Sequence, residues 1–160
     1  MQLLELADWA PTHKHTEPWR FFVYTEEKAR TFVSDHAEIY RKSVSEEKFN
    51  NDKYEKILGN GSNISHIIVC VMKRDEQKRV PEIEEISAAS AAVQNILLGA
   101  TALGIANFWS TGGMTHSEQL KDFLGLKYED SVMGIIYLGY TDSSYEGKRT
   151  IPIQEKITWK

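Results

Sequence analysis

A chain of 160 residues, 41% hydrophobic and 11% aromatic, carries enough apolar side chains for a real core, which excludes a disordered polymer. One domain over residues 1–160 is expected at this length, burying roughly 70% of the unfolded surface. A net charge of −4 argues against nucleic acid as the main partner, and the single Cys70 excludes an intrachain disulfide framework.

Leu3, Leu6, Ala7 and Ala10 recur at helical spacing, so a helix is predicted over residues 2–9, ending before Pro11. A loop follows, bracketed by Pro11 and Pro18, each of which fixes its own φ and pushes the preceding residue into extended geometry. Two histidines, a lysine and an arginine fall between His13 and Arg20, so a held loop with local positive charge suits an anionic or electron-accepting ligand. Residues 19–24 read as an aromatic-rich strand, with Trp19 a core residue.

Helices are predicted over 26–42, with Ala29, Phe32, Val33 and Ala37 near one face, and over the highly charged stretch 45–58. The tract Gly59-Asn60-Gly61-Ser62-Asn63 breaks the second helix. The near-continuous apolar run 64–72 reads as a strand covered on both faces, with Cys70 an inert core thiol. The charged stretch 73–85, holding Pro81, is expected to be a mobile surface loop.

The strongest helix lies over 86–103, where Ile86, Ala89, Ala92, Val93, Ile96, Leu97 and Ala100 share helical offsets. Its small residues admit a close neighbour, either another element of the chain or a second copy. A short strand at 105–109 and a helix at 116–124, with Thr115 as N-cap, come next. A strand at 132–138 ends in Gly139, and the tail from Tyr140 is expected to be turn-rich and partly extended at 150–153. Strands separated by helices give an α+β or α/β domain, and the pattern does not decide parallel from antiparallel pairing.

A second candidate loop is Trp109-Ser110-Thr111-Gly112-Gly113-Met114, after a strand and before a helix. Adjacent glycines let a backbone approach a flat ligand and expose N–H groups, and Ser110 and Thr111 add hydroxyls. No G-x-G-x-x-G, Walker or nucleophile-elbow pattern is present, and the histidines show no metal spacing, so no metal centre is expected. No run approaches about 18 apolar residues and no signal-peptide pattern opens the chain, so a soluble, cytoplasmic protein without a membrane partner is expected.

Ala10-Pro11-Thr12-His13-Lys14-His15-Thr16-Glu17-Pro18-Trp19 closely resembles the Ala-Pro-x-His-Lys-x-x-x-Pro-Trp loop that opens the flavin site in the nitroreductase family. The Trp109–Gly112 loop, the Ala-rich stretch 88–104 and the strand Val132-Met133-Gly134-Ile135-Ile136-Tyr137-Leu138-Gly139-Tyr140 are similar to that family's small single-domain branch. The resemblance implies an α+β fold with a central, mostly antiparallel sheet flanked by helices. It also implies FMN, a homodimer with sites at the subunit interface, NADH or NADPH as donor, and nitroaromatic, quinone or similar small electron-poor aromatic acceptors reduced by a ping-pong mechanism.

Carried over residue by residue, it places Trp9, His13, Lys14, Trp109, Ser110, Thr111 and Gly112 at the cofactor. His13 and Lys14 would lie at the flavin edge or near the phosphate. The chemistry would belong to the flavin, and no catalytic side chain is assigned. The Arg-Arg-Ser segment that holds the phosphate in the family is not in this sequence. Three accounts follow: a truncated chain, phosphate contacts from Lys148 and Arg149, or a flavin-free dimer that keeps the fold as a binding or scaffold protein.

Overall fold

The computed structural model describes residues 1–143 and 147–160. In chain order, helix α1 (Gln2–Asp8) precedes strand β1 (Trp19–Thr25), helices α2 (Glu26–Ser43) and α3 (Asn51–Gly59) and strand β2 (His66–Met72). Helix α4 (Glu82–Ala102), strand β3 (Ala106–Ser110), helix α5 (Glu118–Phe123) and strand β4 (Ser131–Gly139) complete it. The four strands form one sheet in the order β1-β2-β4-β3, every neighbouring pair antiparallel, so the fold is α+β with an antiparallel centre.

Alternation along β2 sorts the core into two layers. Ile68 and Cys70 face α1 and α4, whereas Ile67, Val69 and Val71 face α2 and α5. A strand paired on both sides and covered on both faces has to be apolar throughout, which is why this run carries no polar residue between Ile67 and Met72. Cys70 is buried, and burial pushes its thiol up to about 12, so it stays unreactive. The small residues of α4 admit α1: a Cβ on Gly99 would lie 2.5 Å from Leu6 Cδ1, and the Asn95 side-chain amide donates to Leu6 O at 3.0 Å. Among the described residues no helix is long and apolar enough to cross a membrane.

Several sequence expectations shift. The helix expected over 45–58 is a 3-10 turn at Glu46–Lys48 followed by α3, because Asn50 takes the Lys53 N–H at 2.9 Å as a helix cap. Phe49, just before that cap, packs between the rings of Tyr40 and Tyr54 at 5.9 and 5.8 Å.

The stretch 73–85 is no free loop. Helix α4 begins at Glu82, Glu85 is only 1% exposed, and its carboxylate accepts from Arg74 and from the Asp75 N–H. The cap of α5 is Ser117, accepting Leu120 N–H at 3.1 Å, whereas the buried Thr115 hydroxyl donates to Gly112 O at 2.6 Å. In the tail residues 150–152 form bends and irregular chain, with Pro152 extended at φ −57° and ψ 149°, and a 3-10 turn follows at Ile153–Lys156.

The register sets where function can sit. Trp19 lies opposite Met72, Met72 opposite Ser131, and Ser110 opposite Ile135. The loops 11–18, 73–81 and 111–117 therefore open at the same end of the sheet. Strands β1 and β3 form opposite edges, three inter-strand spacings or roughly 14 Å apart.

Candidate functional site

The loop after α1 is held, as its prolines predicted. Lys14, His15 and Glu17 adopt positive φ values of 51°, 50° and 43°, strained for residues with a side chain, so the surroundings must impose them. Thr12 Oγ1 accepts the Glu17 N–H at 3.1 Å, Lys14 Nζ donates to Arg79 O at 2.9 Å, and His13 Nδ1 meets Glu84 Oε2 at 2.5 Å. His13 lines an open groove with Pro11, Thr12, Ile83, Glu84 and Ser87, against the first turns of α4. Trp19 is buried, its indole N–H bonded to Asp8 at 2.9 Å, while Trp9 is 86% exposed and belongs to no core.

The second loop rests on a β-bulge. Cys70 pairs with Gly134 but Val71 with Val132, so Met133 is the extra residue and its carbonyl is free of the ladder. Trp109 Nε1 donates to that carbonyl at 3.1 Å. The indole lies over Gly134, where a Cβ would stand 1.9 Å from Trp109 Nε1.

Beyond Trp109, Ser110 Oγ accepts the Gly112 N–H at 3.3 Å, and Gly113 turns at φ 67° directly against the His36 ring. His36, 2% exposed, accepts the Met114 N–H on Nε2 at 2.9 Å. A neutral ring that accepts on Nε2 carries its proton on Nδ1, and that buried N–H has no hydrogen-bond partner among the described residues. Burial holds the His36 imidazole down to about 4.

Against this loop lies a cleft of ≈ 420 Å³, bounded by Ser110, Thr111, Gly112 and Gly113, by His36, and by Lys53, Lys56 and Asn60 of α3. Phe108, 60% exposed, stacks on Tyr137 at 6.4 Å along its outer wall. Burial pushes the Tyr137 hydroxyl up to about 12, against a hydrogen bond with Asn60 that lowers it. Among the described residues no carboxylate lines the cleft.

Of the residues singled out from sequence, Trp109, Ser110, Thr111 and Gly112 share this cleft. Trp9, His13 and Lys14 do not line it: His13 borders the separate groove against α4, Lys14 is tied to Arg79 O, and Trp9 is exposed. Lys148 and Arg149 are exposed and line neither recess; Arg149 Nη1 donates to Lys148 O at 3.1 Å. The sequence reading missed His36, Lys53, Lys56 and Asn60. The lysines' i,i+3 spacing put both on one helical face, but nothing local tied that face to a loop that begins 54 residues beyond Lys56, at Ser110.

His36 gives a pH prediction. Its folded value, about 4, lies below the usual 6.5, so between these limits the unfolded chain binds more protons and stability rises with pH. The contribution is complete above pH 6.5 and lost as pH falls toward 4, a change of roughly 3 kcal/mol. Urea unfolding of wild type and His36→Gln at a series of pH values should give a difference with this slope. A flat difference would mean the ring is not held neutral by burial.

The chain matches the model of the nitroreductase family over residues 1–140. A Bacillus subtilis protein named as a putative NAD(P)H nitroreductase, YfhC, is 30% identical, the match covering 99% of this chain and 80% of that protein. The crystal structure of a nitroreductase-like family protein from Bacillus cereus superposes with a TM-score of 0.81 at 32% identity, covering 99% of this chain and 81% of that one. The crystal structure of a Desulfovibrio desulfuricans protein named as a putative nitroreductase, in complex with FMN, has a TM-score of 0.71 at 24% identity, with 99% of this chain and 81% of that one covered.

Proposed function

The chain belongs to the nitroreductase family and is an oxidoreductase, and from that premise we propose that it binds FMN in the cleft beside Trp109–Gly113 and passes electrons from NADH or NADPH to flat, electron-poor acceptors such as nitroaromatics and quinones. The observation that carries this reading is the Gly-Gly loop itself, a glycine backbone lying along a cleft that is rich in donors and, among the described residues, lined by no carboxylate. FMN in the Desulfovibrio desulfuricans relative supports it from the side of the fold.

When bound, the flavin supplies the hydride and electron chemistry, donor and acceptor occupying one pocket in turn in a ping-pong cycle. The chain's part is positioning. Trp109, locked by Met133 O and the missing Cβ of Gly134, fixes the floor of the loop. Gly112 allows close backbone approach, and Ser110 and Thr111 present hydroxyls. Phe108 and Tyr137 screen one side from water.

Trp9, His13 and Lys14 complete the site from a second copy in this proposal. They belong to the segment leading into the edge strand β1 and line no part of the cleft at the β3 edge, so a homodimer in which each copy lends one loop lets both sets meet one ligand. Helix α4 offers an open face for such pairing, with Ile83 and Leu98 64% and 60% exposed and small or polar residues Ser87, Ala91 and Gln94 between them. Lys148 and Arg149 are proposed as phosphate contacts on the same interface, in a chain read as one domain acting in the cytoplasm.

The test is the visible spectrum of the protein after incubation with FMN and removal of the excess, followed by NADH or NADPH oxidation with menadione or nitrofurazone. Retained flavin and acceptor-dependent turnover are expected; a colourless protein that oxidises neither donor would overturn the reading. Changing His13 and Lys14 together to Ala should weaken FMN about tenfold or more, since hydrogen bonds to charged groups contribute roughly 1.5–3 kcal/mol each. Unchanged affinity would remove these two residues from the site.

A further inference from the structure

We propose that Lys53 and Lys56 of α3 make the cleft an oxyanion site, taking a planar ring that carries a phosphate or carboxylate. The inference rests on the flavin reading of this cleft and says what else about a ligand the cleft selects. Nearly everything that converges there donates. Lys53 and Lys56 lie three residues apart on one turn of α3, so both ammonium groups project from the same side, and an ammonium can only donate.

Lys53 is restrained: its Nζ sits 4.4 Å from the centre of the buried Tyr40 ring, and its own N–H is fixed by the Asn50 cap. His36 fixes the opposite wall: it is buried, it lines the same cleft, and its Nε2 holds the Met114 N–H at 2.9 Å, so the Gly-Gly loop facing the lysines is tied down from behind. Among the described residues no carboxylate lines the cleft and none forms an ion pair with Lys53 or Lys56. The exposed Phe108 face supplies the complementary surface for a flat ring.

One chemistry has two sources here: the phosphate of the flavin, or a carboxylate on the acceptor. Matched pairs of probes separate them, FMN against riboflavin and 4-nitrobenzoate against nitrobenzene, each followed by quenching of tryptophan fluorescence. The wild type should bind the charged member of one pair about tenfold tighter than the neutral one. Raising salt from about 50 to about 300 mM should shrink that ratio.

In K53M/K56M, which keeps the apolar stems on exposed positions, the ratio should fall to within about twofold of unity. Collapse of the FMN–riboflavin ratio assigns the lysines to phosphate; collapse of the nitrobenzoate–nitrobenzene ratio assigns them to the acceptor. Ratios unchanged by the double substitution in both pairs would overturn the proposal. Failure of the flavin reading looks different: neither flavin binds the wild type, while the nitrobenzoate preference and its loss in the variant remain.

Discussion

Removing the Glu85 carboxylate, as in Glu85→Ala, is expected to destabilise the protein by about 3–5 kcal/mol, the range for breaking a buried ion pair by deleting one partner. Glu85 is buried and Arg74 nearly so, and the pair is embedded in backbone bonds. The Asp75 N–H donates to Glu85 at 3.1 Å, Arg74 Nη2 donates to Val80 O at 3.0 Å, and the Arg74 N–H donates to Asp130 Oδ1 at 3.0 Å.

Deletion of Glu85 would strand the Arg74 guanidinium and loosen the strap 73–81, whose Arg79 carbonyl also anchors Lys14. The loss should therefore appear twice: in urea unfolding, and in faster amide exchange across both 73–81 and 12–17. Paired replacement of Arg74 and Glu85 by Met and Leu should recover much of the stability, because an apolar pair leaves no charge unmet. A single Glu85→Ala change costing under about 1 kcal/mol would show that the pair is solvated and holds nothing.

Substituting Gly134 by Ala is the second large effect, expected to cost about 3 kcal/mol. Two penalties add. The new Cβ would stand 1.9 Å from Trp109 Nε1 and 2.5 Å from its Cδ1, and a φ of 151° is one that L-residues rarely adopt. The indole cannot shift without giving up its bond to Met133 O, so Trp109 should leave its slot and carry the Ser110–Gly113 loop with it.

Thermal unfolding should report the stability loss, and retention of added FMN should fall in parallel. Because the clash is with one side chain, Trp109→Ala on top of Gly134→Ala should restore part of the stability, leaving an interaction energy of about 1–2 kcal/mol in the cycle. Purely additive effects would place the strain in the backbone and not in the indole contact.

These residues mark how far the sequence could be read. The apolar run through β2 announced a central strand, since pairing on both sides and cover on both faces leave no solvent for a polar residue. The Ala-rich periodicity announced α4, and the prolines announced a held loop before β1. The family motifs in loops 10–19 and 109–112 were legible because each motif is contiguous.

Glu85 was not legible, because an acidic side chain among Glu82, Glu84 and Glu85 looks like a solvated helix start until Arg74 folds over it. The break at Asn50 was hidden for a similar reason: composition 45–58 favours helix, and only the Tyr40–Phe49–Tyr54 aromatic packing and the cap decide otherwise.

By itself, then, the sequence determined most of the elements, the buried strand, the two loops and the family, because periodicity, turn chemistry and contiguous motifs are local properties of the chain. The tertiary structure decided which edge of the sheet each loop occupies, that Trp109 is seated by a bulge at Met133, and that Lys53, Lys56 and His36 meet the Gly-Gly loop. Periodicity shows that a face is buried but not against what, and strand order and helix placement come from long-range packing that no local pattern encodes.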